Sequence, residues 1–140
     1  MDIKEIKKLF FTYRNGLIAD TLRKAGMDYK IIFGLNVPQL SDISRRINED
    51  REKLAEELWN DSEVRESRLL ACWLFNPENV SEERAMEMMH SVRTREEADI
   101  LAFRLLRYLP FAKSLISETD TDSDNTLYGY AVEALKRNLE

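Results

Sequence analysis

Apolar positions recur every three or four residues along most of the chain, the spacing of helices that bury one face. In Asp2–Arg14 they are Ile3, Ile6, Leu9, Phe10 and Tyr13, with Asp2 as the expected cap and Asn15-Gly16 as the stop. A short second helix is expected over Leu17–Ala25, ending at Gly26. Tyr29–Val37 (YKIIFGLNV) reads as a connection that buries its aromatics. Pro38 opens the next helix, where its missing N–H is harmless, and Leu40, Ile43 and Ile47 form the buried stripe. Glu52–Trp59 is its partner, buried through Leu54, Leu58 and Trp59.

The second half follows the same rule with stronger contrast. Val64–Phe75 is apolar nearly throughout from Leu69 onward (LLACWLF), so this helix should be central. Asp61 or Ser62 is expected to cap it and Asn76-Pro77 to stop it. Ser81 caps the following helix, whose inner face is Ala85, Met88, Met89 and Val92, with Met86 to one side. Thr94 caps the next, and Ala98–Leu109 is apolar nearly all round until Pro110 ends it. A polar loop, Ser117–Asn125, precedes the last helix, Thr126–Leu139. No stretch alternates with period two, so no strand is expected.

Strongly apolar and half-polar helices alternate, as a layered stack of helical hairpins requires. Glu66, Leu70 and Trp73 loosely echo Asp99, Phe103 and Leu106, and 33 residues separate Glu66 from Asp99 and Pro77 from Pro110. A period of that length is typical of helical solenoids. The expectation is one all-α domain over residues 1–140 with about seven or eight helices.

Composition narrows the function. Only 4 Gly and 3 Pro are present, which leaves few turns and argues against a β-sandwich. A single cysteine, Cys72, excludes an intramolecular disulfide, and within LLACWLF it reads as a small buried hydrophobe. Met1–Lys8 is charged and unlike a signal peptide, and no apolar run nears the roughly 20 residues of a membrane helix. A cytoplasmic protein without a membrane partner is expected. The net charge of -5 disfavours a dedicated nucleic-acid binder, although a local basic face can coexist with acidic outer helices.

Few residues carry candidate chemistry. His90 is the only histidine and has no second ligand at metal spacing, so zinc is not expected. Asp120–Asn125 resembles the start of a calcium loop, with Leu127 at its apolar position. Asn125 and Ala131 stand where the turn glycine and the bidentate glutamate belong, and the stretch reads as an acidic loop whose Ser123 or Asp124 caps the last helix. There is no glycine-rich phosphate loop and no Ser-His-Asp set. No cofactor is expected.

Gly34–Ile47 (GLNVPQLSDISRRI) resembles the opening of the bacterial DNA alkylation repair proteins, the HEAT-like-repeat alkylpurine DNA glycosylases. Leu58-Trp59-Asn60, Glu66–Ala71 (ESRLLA) and Val80–Glu83 (VSEE) continue the likeness, which covers roughly residues 1–135. It implies an α-α superhelix of HEAT-like hairpins around a basic groove that holds duplex DNA. In that family an aspartate stabilises positive charge on the sugar as the glycosidic bond breaks, and tryptophans hold the lesion nucleotide. The resemblance places the aspartate on Asp99. The tryptophans fall on Arg95 and Thr94, so that aromatic wall is absent, and Arg95 stands where it can pair with Asp99 one turn on. Where the family has a later tryptophan with paired arginines, this chain reads Leu127–Ala131 (LYGYA). The chain ends at Glu140, where typical members continue; an apolar end left there would favour a homodimer through the last helix.

Asp99 is therefore either the catalytic carboxylate or a first-turn carboxylate paired with Arg95. Arg45, Arg46, Arg65, Arg68, Arg93, Arg95, Arg104 and Arg107 either line a basic groove or pair with the many glutamates. A contiguous patch of Arg65, Arg68, Arg104 and Arg107 would favour DNA, whereas an exposed apolar groove would favour a protein partner. The departures favour a non-catalytic relative that binds nucleic acid or protein. The alternatives are an active alkylpurine DNA glycosylase of base excision repair and a helical scaffold unrelated to DNA.

Overall fold

Asp2 accepts the Glu5 N–H at 2.8 Å while the Glu5 carboxylate receives the Asp2 N–H, a reciprocal cap that starts α1, Ile3–Thr12. Asn15 does more than stop α1. Its side-chain oxygen accepts the N–H groups of Leu17 and Ile18 and opens α2, Gly16–Lys24. Asn36 and Gln39 form a second reciprocal cap for α3, Val37–Arg46, with Pro38 in its first turn. α4, Arg51–Asn60, and α5, Arg65–Leu74, follow, joined by residues 61–64.

A computed structural model describes residues 1–117 and 126–140. They form two compact units, Met1–Phe75 and Asn76–Glu140. In the first unit α4 and α5 pack as a hairpin, α3 lies against α5, and α1 against α4. The apolar run predicts a central helix, and all ten residues of α5 are buried. Each large apolar side chain buried there contributes about 1.5–3 kcal/mol relative to exposure, which makes α5 the axis of this unit.

The cap of α5 differs from expectation. Neither Asp61 nor Ser62 fills that position; Val64 does, without a side-chain bond. The connection between α2 and α3 takes over this role. Ile31 pairs with Val64 in an isolated bridge, donating to Glu63 O at 3.0 Å and accepting the Arg65 N–H at 3.2 Å. One of the orphan N–H groups of the helix start is thereby satisfied by backbone. The Asp61 carboxylate instead meets the Lys7 ammonium at 2.9 Å and the Ser67 hydroxyl at 2.7 Å.

In the second unit, Ser81 caps α6, Glu82–Ser91, and Thr94 caps α7, Arg95–Arg104, as the sequence predicts. Met88 and Met89 are fully buried and Met86 only half so. α7 is shorter than its apolar run implies. The backbone leaves the helix at Leu105 (φ -129°, ψ -61°) and continues as a 3₁₀ turn, Leu106–Tyr108. A further helix, α8, spans Ala112–Ser117, between Pro110 and the expected polar loop, where the sequence reading places no element. α9, Leu127–Leu139, is capped by Thr126, which accepts the Gly129 N–H at 2.9 Å, and it packs against α6, α7 and α8. Ser123, Asp124 and the acidic loop lie outside the described residues.

The described residues thus hold nine α-helices and no strand, an all-α helical repeat fold. None of these helices is long and apolar enough to cross a membrane.

Candidate nucleic-acid interface

Arg95, Asp99 and Phe103 follow one another at four-residue steps on α7 and so share one face of it. Asp99 is half-exposed, its side chain 48% accessible. The expected pair with Arg95 does not form. The Asp99 carboxylate is held from α9: Oδ2 accepts the Tyr130 hydroxyl at 3.0 Å, and Oδ1 meets the Arg137 guanidinium at 3.3 Å. An arginine placed four residues before an acid is the weaker orientation of such a helical pair, and the packed α9 offers a better partner.

Arg95 turns to the same tyrosine. Its guanidinium carbon lies 5.1 Å from the Tyr130 ring centroid, and that of Arg137 lies 5.4 Å away. Contacts of this kind at exposed sites contribute about 0.5–1 kcal/mol each. The hydrogen bond from Arg137 to the Tyr130 hydroxyl, with the Asp99 charge beside it, holds the Arg137 guanidinium above its already high ordinary range. Arg137 is therefore a permanent cation. The cluster carries two positive charges against one negative, on a chain whose net charge is -5. An aromatic ring does stand beside Asp99, but it comes from α9 rather than from the turn that precedes Asp99.

Beyond the end of α7, Arg107 in the 3₁₀ turn lies between two exposed rings. Its guanidinium is 4.1 Å from the Phe103 centroid and 4.7 Å from that of Tyr108, whose hydroxyl it meets at 2.6 Å. Phe103 is 48% and Tyr108 53% exposed. Arg104 is half-buried at the last turn of α7. Arginine and aromatic side chains interleaved on one face suit phosphates and base faces.

The first unit's arginines behave differently. Arg65 and Arg68 are expected on a DNA-facing patch, but they are 3% and 6% exposed. Arg65 Nη1 donates to Leu35 O at 2.9 Å and pairs with Glu66 at 2.6 Å, and the Arg68 guanidinium lies 4.1 Å over the Trp59 ring. They sit in the polar first turn of a helix that is buried throughout, where a charge must find internal partners. Arg45 and Arg46 pair with Asp42 at 3.4 and 3.0 Å on α3, and a bond to the Tyr13 hydroxyl raises Arg46 further above its ordinary range. Arg93 is half-buried.

The Glu66 and Asp99 echo does not carry an equivalent role, since Glu66 is fully buried and binds backbone. His90, exposed at the end of α6, stacks on Tyr128 with ring centroids 3.9 Å apart. Cys72 is buried. No group of three potential metal ligands occurs among the described residues.

A family profile described as DNA alkylation repair enzyme matches residues 6–122. Neither a curated protein nor a solved structure matches the chain. The profile spans most of the 140 residues, including α7 and Asp99, and the chain belongs to the DNA alkylation repair enzyme family.

Proposed function

We propose that this chain is a non-catalytic member of its family that binds nucleic acid through the Arg95, Tyr130 and Arg137 cluster. The observation that carries the reading is the state of Asp99, both of whose oxygens are engaged by donors from α9. A carboxylate that stabilises a developing sugar cation must bring an uncompensated negative charge to it. A guanidinium at 3.3 Å cancels much of that field before a substrate arrives. What remains is a net positive aromatic cluster, with Phe103 of α7 and Arg107 and Tyr108 of the 3₁₀ turn beyond it, suited to holding nucleic acid.

One observation favours the catalytic alternative. The Tyr130 ring stands beside a half-exposed Asp99, an aromatic neighbour of the kind the chemistry uses. Release of alkylated purines from methylated duplex DNA separates the two readings. Wild type and Asp99→Asn should both match the protein-free control. Release above that control, falling about 100-fold or more in Asp99→Asn, would restore Asp99 as the electrostatic residue of a working glycosylase.

A further inference from the structure

A second basic surface lies on the first unit and includes none of the residues named in the proposed function. Lys4, Lys7, Lys8, Phe11 and Thr12 of α1, with Phe33 from the connection, enclose an open depression of about 630 Å³. That volume is within the range of sites that hold small ligands or a few side chains, about 300–1,000 Å³. Two phenylalanines line it, and three lysines stand on one helix face at positions i, i+3 and i+4.

The apolar lining is fixed in place. Phe33 donates its N–H to Glu66 Oε1 at 3.0 Å and accepts the Asn15 N–H at 2.8 Å, so its backbone is held on both sides. Its ring leans on buried Phe10, with centroids 5.8 Å apart. Phe11 is 56% exposed, and the Arg14 guanidinium covers its ring at 3.8 Å. A surface set this firmly loses little freedom on binding. Of the lysines, Lys7 is tied to Asp61, while Lys4 and Lys8 are exposed and have no ion pair among the described residues.

We infer that this depression docks an acidic peptide segment carrying an aromatic anchor, with the anchor between Phe11 and Phe33 and its carboxylates at Lys4 and Lys8. Charge complementarity selects the sign of the partner, because the depression concentrates cations on an acidic chain. The shape selects a peptide over a nucleic-acid strand. A concave apolar hollow rimmed by flexible ammonium groups accepts one buried side chain, whereas base stacking and bidentate phosphate contacts are better served by the arginine and aromatic face of α7. An exposed apolar surface bounded by polar residues is the usual mark of a protein contact.

The test uses a fluorescein-labelled hexapeptide, four aspartates ahead of a C-terminal Leu-Phe pair, titrated with the full chain at low salt. Binding in the micromolar range is expected. It should weaken about tenfold or more in Lys4→Glu/Lys8→Glu, and as much when the peptide phenylalanine becomes alanine. Phe11→Ser should also lose it, while Arg95→Ala/Arg137→Ala should leave it unchanged. Both lysines and Phe11 are exposed, and an unaltered urea midpoint confirms that each variant folds. No binding at 1 mM peptide, or binding indifferent to Lys4 and Lys8, overturns the proposal. So does an oligothymidylate that binds here, depends on Lys4 and Lys8 and displaces the peptide, since it would make the depression a nucleic-acid site.

Discussion

Replacing Glu66 by alanine is expected to destabilise the Met1–Phe75 unit by about 3–5 kcal/mol, the usual cost of removing one partner from a buried ion pair. The Glu66 carboxylate is fully buried and has three donors. It accepts the Phe33 N–H and the Gly34 N–H at 3.0 Å each and the Arg65 guanidinium at 2.6 Å. Without it, two backbone groups lose their acceptors and Arg65, 3% exposed, loses the carboxylate it meets at 2.6 Å. Glu66→Gln keeps acceptor capacity but not the charge, and should cost less. Both tryptophans of the chain, Trp59 and Trp73, lie in this unit. Their fluorescence in a urea titration therefore reports its unfolding alone. A loss under about 1 kcal/mol would mean that the carboxylate does not hold the connection to α5.

Gly34→Ala should be nearly as damaging, at about 2 kcal/mol or more, for a reason rooted in backbone rather than charge. Gly34 has φ +91°, where a side chain is strained. A Cβ there would also sit 2.2 Å from the Asn15 carbonyl oxygen. That oxygen cannot retreat cheaply, because it accepts the Ala19 N–H at 3.0 Å in the first turn of α2, and Asn15 itself donates to Phe33 O. The clash therefore pushes the α1–α2 corner off the connection that Glu66 anchors from the other side. Since the two variants break one docked segment, their costs should fall short of additive in the double mutant. Additive losses would show that the two contacts stabilise independent parts of the unit. Either variant should also weaken peptide docking, as both release Phe33.

Where a signal was local, the sequence revealed it. The caps at Asp2, Ser81 and Thr94 act within three residues, and the buried stripes of α3, α5 and α6 follow from helical spacing. The end of α7 is not legible, because an apolar run cannot distinguish an α-helix from a 3₁₀ continuation. The start of α5 is not legible, because its partner is backbone from Ile31, more than thirty residues earlier.

The candidate site divides the same way. Asp99 was reachable through the family motif. Tyr130 and Arg137 were not, since they meet it across 31 and 38 residues of chain. The burial of Arg65 and Arg68 was not legible, since they precede the apolar run in a polar turn (RESR) and are enclosed by Leu35 O and the Trp59 ring from other elements. The lysines at 4, 7 and 8 with Phe11 form a visible stripe, but Phe33 completes the depression only through the anchored connection.

Duplex DNA binding by fluorescence anisotropy, across about 50–200 mM salt, tests the proposed function most directly. Micromolar binding is expected at the low end, weakening steeply as salt rises. In Arg95→Ala/Arg137→Ala the slope of log affinity against log salt should fall by about 2, close to one unit per lost phosphate contact. Arg137 is a half-exposed surface pair, so the fold should survive its loss. No binding at low salt, or a slope that the double variant leaves unchanged, would contradict the assignment of nucleic acid to this face.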